Sequence, residues 1–479
     1  MREAATARRL RTPSMNWTLH DVLTATHGTA DAAAPWSVYS SISTDSRQVE
    51  PGALFFALRG PQHDGHDFAA EALRRGAVAV VLERVPPGVP APRVVRVPDT
   101  LRALGDLAAW TRAEHTVRVV AVTGSNGKTT TKEMIAAICA SAAFPPPRAS
   151  VLKTEGNFNN LIGLPLTLLR LRGDEAVAVL EMGMNRPGEI SRLTEIARPD
   201  YAVVTNIAAA HLQGVGGTLA GVAAAKAELF AGLTAGAGIA VNLDDEWVRR
   251  IAATFPGRKV TFGQDAEVRA RGITDLGGDG VAFDLWIDDR AAAVRLPLVG
   301  RHNVGNALAG AAIGHLLGLG LDVIAEGLQR TVQPAMRMEV TRLRNGVTVI
   351  NDAYNANPSS VEAALVALRR FSGRPRVVLG EMWELGDESR RAHHGVGERA
   401  AALGVHELFL LGEHAEWTAA GARAGGMRGD AVRVCGSHAE VVEAVVARWQ
   451  PGDTVLVKGS HGMKMDEVVR LLESVGNSP

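Results

Sequence analysis

Residues 117–139 read VRVVAVTGSNGKTTTKEMIAAIC, and this segment constrains the fold more than any other. Its apolar run Val119–Val122, without polar alternation, reads as a strand buried on both faces, which belongs in a parallel sheet covered by helices. The run ends in Gly124-Ser125-Asn126-Gly127, and Lys128-Thr129-Thr130 opens a helical pattern. Glycines there let the backbone curl so that successive N–H groups point at an anion, with the helix N-terminus adding partial positive charge. Lys128 is placed to reach the β and γ phosphates of a nucleotide, and the Thr129 hydroxyl to bind Mg²⁺. The strict GxxxxGK[ST] spacing fails, because Val122 stands where its first glycine belongs. The loop is a shortened variant, which argues against a generic GTPase or kinase.

A phosphoryl-transfer site also needs a carboxylate for the metal, normally at the C-terminal end of a neighbouring parallel strand. Glu181 ends the apolar run AVAVLE, and His211 follows the next run, YAVVTNIAAAH. Alone, a strand-end Glu is more often solvated and a lone His more often structural; the phosphate loop upstream favours a metal role for Glu181, and its place after a strand C-terminus favours one for His211. Lys226 lies in the helical stretch AAAKAELF. The chain has only seven lysines among 51 basic residues: Lys128, Lys132, Lys153, Lys226, Lys259, Lys458 and Lys464. Where arginine supplies charge by default, a lysine is a candidate for work arginine cannot do. Lysine can lose its proton and take up carbon dioxide as a carbamate, a carboxylate on a long arm suited to a second Mg²⁺; the plainer alternative is a surface lysine.

Net charge is zero, with 51 basic and 51 acidic residues, so no electrostatic case exists for nucleic acid or an anionic membrane. The two cysteines, Cys139 and Cys435, make no disulfide framework and point to a reducing, cytoplasmic compartment. The N-terminus is charged but lacks an apolar core for a secretory signal. The most apolar stretch, around Ala307 to Leu328, is interrupted by His315, Asp322 and Glu326, which indicates a buried helix and no membrane span.

A length of 479 residues predicts about three domains of roughly 150 residues each. The reading is α/β throughout. After an extension at 1–14, expected to be disordered, a small α/β domain covers 15–116, with strand-like GALFFAL, AVAVVLE and RVVRV and a helix over 67–75. A central P-loop parallel-sheet domain covers 117–332; its region 258–297 has short strand-like runs, read as a small β subdomain before a helix at 303–317. At Gln333-Pro334 the pattern restarts as a Rossmann-like doubly wound domain, 333–479, with strands at VTVIND, RVVLG, LFLLG and TVLVKGS and helices from Ser359, from about Ser389 and near 438–448.

Several segments together resemble the Mur ligase family: VTGSNGKTTTKEM, EMGMNRPGEI, NIAAAHLQG with AAKAELF, LVGRHNVGNALA, and AMRMEV before VINDAYNANPSS, in the family order over residues 40–470. Within it, GNFNNLIGLPLTLL, DAYNANP and VLGEMWELGDESRRAHH are similar to the branch that adds D-alanyl-D-alanine to a UDP-N-acetylmuramoyl-tripeptide. The resemblance implies an ATP-dependent ligase working through an acyl phosphate, with ATP, two Mg²⁺ ions and a carbamylated Lys226.

It also implies roles residue by residue. Ser43, Thr44, Asp45, Ser46 and Arg47 belong to the block that contacts the uridine nucleotide. Gly124 to Thr130 hold ATP; Thr129, Glu181, His211 and Lys226 complete the metal shells. Asn157, Asn159 and Asn160 lie along the path of the peptide stem. Asn303 and Asn306 face the adenine side, Arg337 and Asp352 reach ATP from the third domain, and Tyr354, Asn355 and Asn357 line the closed cleft. Plainer alternatives remain: a helix cap for Asn303 and Asn306, a turn for Asn-Ala-Asn-Pro, a loop salt bridge for Asp45 and Arg47. His63, Asp64 and His66 lack the spacing of a structural zinc site. A monomer is expected. The third residue of the tripeptide is not legible. A nucleotide switch without ligase activity is the rival from another class, and a sister Mur ligase or a folylpolyglutamate synthetase the rival from the same class.

Overall fold

The protein is described from a computed structural model covering residues 16–31, 38–146 and 148–478; the extension expected over 1–14 lies outside the described residues, as does Pro147. Three large sheets follow one another along the chain.

The first has five strands in the order Thr29–Ala30, Val94–Arg96, Ala79–Leu82, Ala53–Phe56 and Ser41–Ser43, parallel except at the first pair. Alternation decides its two faces: Phe55 and Val80 pack with Ala69 and Ala72, while Leu54, Phe56 and Val81 pack with Leu104 and Leu107. The helix expected over 67–75 is a 3₁₀ turn, Gly65–Phe68, running into the α-helix Ala69–Arg74. His66 is fully buried there; its Nδ1 lies 2.6 Å from Asp64, and its Nε2 accepts from the Glu83 N–H at 3.0 Å. Both ring nitrogens are thus used for structure.

The helix Thr100–Glu114 joins this sheet to the next. Arg112 on it donates to the Ala197 carbonyl and to Asp200, both at 3.1 Å. Its Leu104 and Leu107 share one core with Val119 and Ala121 of the central sheet.

The central sheet has nine strands, with Arg118–Thr123 between Glu175–Glu181 and Tyr201–Val204. Val119 and Ala121 face one core, Val120 and Val122 the other, where helices Lys128–Ser141 and His302–Leu316 lie. This is the two-sided burial that the unbroken apolar run required. The region 258–297 is not a separate β subdomain. Its strand Arg258–Phe262 continues the parallel sheet, and Val268–Asp275, Val281–Ile287 and Arg290–Leu296 extend the same sheet as an antiparallel edge.

The third sheet has six strands in the order Glu339–Arg342, Thr348–Asp352, Thr454–Lys458, Pro375–Leu379, Glu407–Leu411 and Val432–Cys435, parallel except for the first. Cores on both its faces make it doubly wound. Helix Ala415–Ala424 and strand Val432–Cys435 complete it, in a stretch where the sequence reading placed no element. Among the described residues no helix is long and apolar enough to cross a membrane.

Candidate active site

The phosphate loop leaves the C-terminal end of Arg118–Thr123 and is shaped by two glycines. At Gly124 (φ 147°) a Cβ would come within 1.9 Å of the Thr205 hydroxyl. Gly127 (φ 79°) caps the helix Lys128–Ser141, and a Cβ there would meet Asn306 Oδ1 at 2.1 Å. The segment after the neighbouring strand braces the loop. Ser125 N–H donates to the Asn206 carbonyl at 2.9 Å, Asn126 N–H to Asn206 Oδ1 at 3.0 Å, and the Thr205 hydroxyl to the Asn126 carbonyl at 2.6 Å. Asn206 ends YAVVTN at a strand C-terminus, a place where such a residue could have been sought, but sequence reasoning passed over it.

Lys128 folds back, donating to the Gly124 carbonyl at 2.8 Å and to the Ser125 carbonyl at 3.3 Å. Burial pushes its ammonium pKa down, while the Glu181 carboxylate opposes that shift. The Thr129 hydroxyl donates to Glu181 Oε2 at 2.8 Å, and Asn159 Nδ2 donates to Glu181 Oε1 at 2.8 Å. Glu181 is 1% exposed, a carboxylate sequestered from water with both oxygens already engaged. Thr130 is buried in the first turn of the same helix.

Lys226, on helix Leu219–Ala231, is 1% exposed, and burial together with the nearby Lys128 charge holds its amine well below the usual lysine range. The plain expectation of a surface lysine fails on this burial. His211 sits at positive φ (57°) just before the turn Leu212–Val215, and its Nδ1 lies against Glu384 of the third sheet's unit.

That unit reaches the phosphate loop at several points. Arg337 Nη2 donates to the Thr129 hydroxyl at 2.9 Å, and its guanidinium lies 4.1 Å from the centre of the Tyr354 ring. Asn357 Nδ2 donates to Asn126 Oδ1 at 2.7 Å, and Asn126 Nδ2 to the Ser359 hydroxyl at 2.8 Å. Asn357 also caps helix Pro358–Leu368, so the turn role and the loop contact coexist. Met336 and Met338, on either side of Arg337, both have positive φ (56° and 57°), backbone strain of the kind held at functional sites.

Asp352 accepts from Lys458 at 2.6 Å and from the Met338 N–H at 3.1 Å, so it fixes the strained segment that presents Arg337. Lys458 also donates to the Asn355 carbonyl at 2.8 Å. It is one of the seven lysines, and its rarity was the available signal for it.

The remaining expected residues lie behind the loop or away from it. Asn303 and Asn306 are buried behind the loop; Asn306 Nδ2 donates to Asn303 Oδ1 at 2.9 Å, and Asn303 Nδ2 to the Val299 carbonyl at 2.8 Å. Asn157 is exposed, and Asn160 Oδ1 accepts from the Gly163 N–H at 2.9 Å. Ser43 ends the edge strand of the first sheet, and Thr44, Asp45, Ser46 and Arg47 form the turn after it. Asp45 and Arg47 pair there at 2.7 Å, and the guanidinium holds the Asp45 carboxyl down at about 2.

The comparisons agree over most of the chain. Residues 38–112 match the pattern described as Mur ligase family, catalytic domain; 122–314 match Mur ligase middle domain; 336–461 match Mur ligase, glutamate ligase domain. The UDP-N-acetylmuramoyl-tripeptide–D-alanyl-D-alanine ligase of Escherichia coli is 39% identical over 447 residues, covering 91% of this chain and 94% of that protein. A crystal structure of MurF from Acinetobacter baumannii is similar with a TM-score of 0.87 and 32% identity, covering 96% of this chain and all of that one. MurF of Thermotoga maritima in complex with ADP is similar with a TM-score of 0.80 and 29% identity, covering 91% of this chain and 97% of that one.

Proposed function

The chain belongs to the Mur ligase family, and we propose that it is the ATP-dependent ligase that joins D-alanyl-D-alanine to the terminal carboxylate of a UDP-N-acetylmuramoyl-tripeptide. One observation carries the chemical part of this reading. Thr129 of the phosphate loop is bonded at once to Glu181 and to Arg337, which gathers an alcohol, a carboxylate and a guanidinium where a γ-phosphate would lie.

A carboxylate is a poor acylating agent, since its leaving group would be oxide. The substrate carboxylate therefore attacks the γ-phosphorus of ATP, the bond to the bridging oxygen of ADP breaks, and an acyl phosphate results. The dipeptide amine then attacks the acyl carbon, and a tetrahedral intermediate collapses to the amide and phosphate. Lys128 and Arg337 offset charge on the transferring phosphoryl group so that two anions can approach. The contacts of Asn357, Ser359 and Arg337 with the loop hold the third sheet's unit over the site, which keeps water from a hydrolysable intermediate.

The donors here suit Mg²⁺, because the Thr129 hydroxyl and the buried Glu181 carboxylate are hard oxygen ligands. When bound, the cation neutralises developing charge on the β and γ phosphates. Lys226 is assigned as a carbamate: its uncharged amine adds to carbon dioxide, a C–N bond forms and one proton leaves, so that a carboxylate replaces a buried amine. Its burial and depressed basicity supply the neutral amine that this addition needs. His211 is assigned as a further ligand, and Ser43–Arg47 as the contact for the uridine nucleotide.

The test is phosphate release by the purified protein. Release requiring both a UDP-linked tripeptide and D-alanyl-D-alanine is expected; steady ATP hydrolysis without either would overturn the assignment. Tripeptides differing at the third residue, run in the same assay, identify the natural precursor.

A further inference from the structure

His211 and Glu384 come from loops of different sheets' units and lie 173 positions apart in sequence, yet their side chains meet, Glu384 Oε2 against His211 Nδ1. Both residues hold left-handed backbone, φ 57° and 64°, a conformation a non-glycine residue keeps only where its surroundings fix it. A second bond fixes the pair, since the Gln213 N–H donates to the Glu384 carbonyl at 3.2 Å. The side-chain contact is one of proximity, off the direction of an ideal hydrogen bond. Glu384 is a half-exposed carboxylate that the proposed chemistry does not use.

The loop that carries Glu384 is built to hold it. The Met382 N–H donates to the buried His393 Nε2 at 3.1 Å, and the Trp383 N–H donates to the Ser460 hydroxyl at 2.8 Å. On the other side, His211 closes the segment whose Asn206 and Ala208 brace the phosphate loop; the Ala208 N–H donates to the Ser125 hydroxyl at 2.9 Å.

We propose that Glu384 is a positioning residue for His211: supplied by the third sheet's unit, its carboxylate holds the imidazole by Nδ1 and leaves Nε2 as the nitrogen that binds the divalent cation. A carboxylate on the far nitrogen of a ligating histidine fixes the ring and raises its basicity, and losing such a partner typically weakens metal binding 10- to 100-fold. The metal shell is then complete only when the third sheet's unit sits against the phosphate loop, so cation affinity reports that docking. The inference rests on the reading of His211 as a ligand.

The test uses Mn²⁺ as the probe, with free ion measured by electron paramagnetic resonance. The full-length enzyme is held with a non-hydrolysable ATP analogue and the UDP-linked tripeptide. Glu384→Ala is expected to weaken Mn²⁺ binding about tenfold while leaving affinity for the metal-free ATP analogue unchanged, with Glu384→Gln in between. His211→Ala is expected to weaken it at least as much. If His211→Ala weakens binding and Glu384→Ala does not, the positioning role is overturned and the ligand reading stands. If neither changes it, His211 is not a ligand and both fall.

Discussion

Arg337 and Thr129 lie 208 positions apart, yet the guanidinium donates to the threonine hydroxyl at 2.9 Å in the first turn of the phosphate-loop helix. The third sheet's unit thereby enters the nucleotide site directly. Because Arg337 is delivered across that interface, its removal is expected to act on the chemical step. Arg337→Ala should lower kcat by about 10²-fold or more while KM for the UDP-linked precursor stays within a few-fold. Steady-state kinetics with the precursor varied checks this; an unchanged kcat would remove Arg337 from the transition state.

Gly127 is required twice, for its φ of 79° and for the space that Asn306 Oδ1 fills 2.1 Å from a built Cβ. Gly127→Ala should therefore displace the loop and cost at least ~1 kcal/mol in stability, with ATP-dependent turnover falling much further. Thermal melts alongside phosphate release separate the two effects. Asn306→Ala in the same background should not restore activity, since the backbone strain remains.

Lys226 offers a spectroscopic prediction. Enzyme in ¹³C-labelled bicarbonate should show a carbamate carbon resonance that is absent in Lys226→Arg, and Lys226→Ala should lose most of its phosphate release. Full activity in Lys226→Ala would remove both the modification and its role.

How far the sequence foretold this structure depended on how local each cause was. The strand and turn around Gly124–Lys128 were legible because burial on both faces and a glycine turn are both written within a dozen residues. Strand Val281–Ile287 was legible as a strand but not as part of the central sheet, because an antiparallel hairpin with alternating burial gives no sign of which edge it joins. Strand Val432–Cys435 was missed because Arg433 interrupts a run of only four residues. The role of Asp352 as the anchor of Lys458 and the Met338 segment, and the meeting of His211 with Glu384, depend on how two sheets dock, and no spacing in the chain encodes that.

His393 gives the loop that carries Glu384 a dependence on pH. It is 2% exposed, its Nδ1 lies 2.8 Å from the Ser389 carbonyl, and its Nε2 accepts from Met382, so the neutral ring with hydrogen on Nδ1 is the fitting form. Burial lowers its pKa below the ordinary 6.5. Below pH 6.5 the unfolded chain then binds this proton more readily than the folded one, so stability contributed by the neutral ring is present above that pH and is lost as pH falls towards the folded value. His302, also depressed by burial, adds in the same direction. Melting temperature should fall with acidification below pH 6.5, and His393→Gln should be less stable at pH 8 by about 1–2 kcal/mol but show a shallower acid slope. Equal slopes would show that His393 does not titrate in this range.

The most direct measurement follows oxygen. With the terminal carboxylate of the UDP-linked tripeptide labelled in ¹⁸O, an acyl phosphate requires one labelled oxygen to leave with each phosphate released in the presence of ATP and D-alanyl-D-alanine. Phosphate carrying one ¹⁸O per turnover is the expected result. Unlabelled phosphate formed at the same rate as the amide would contradict the account.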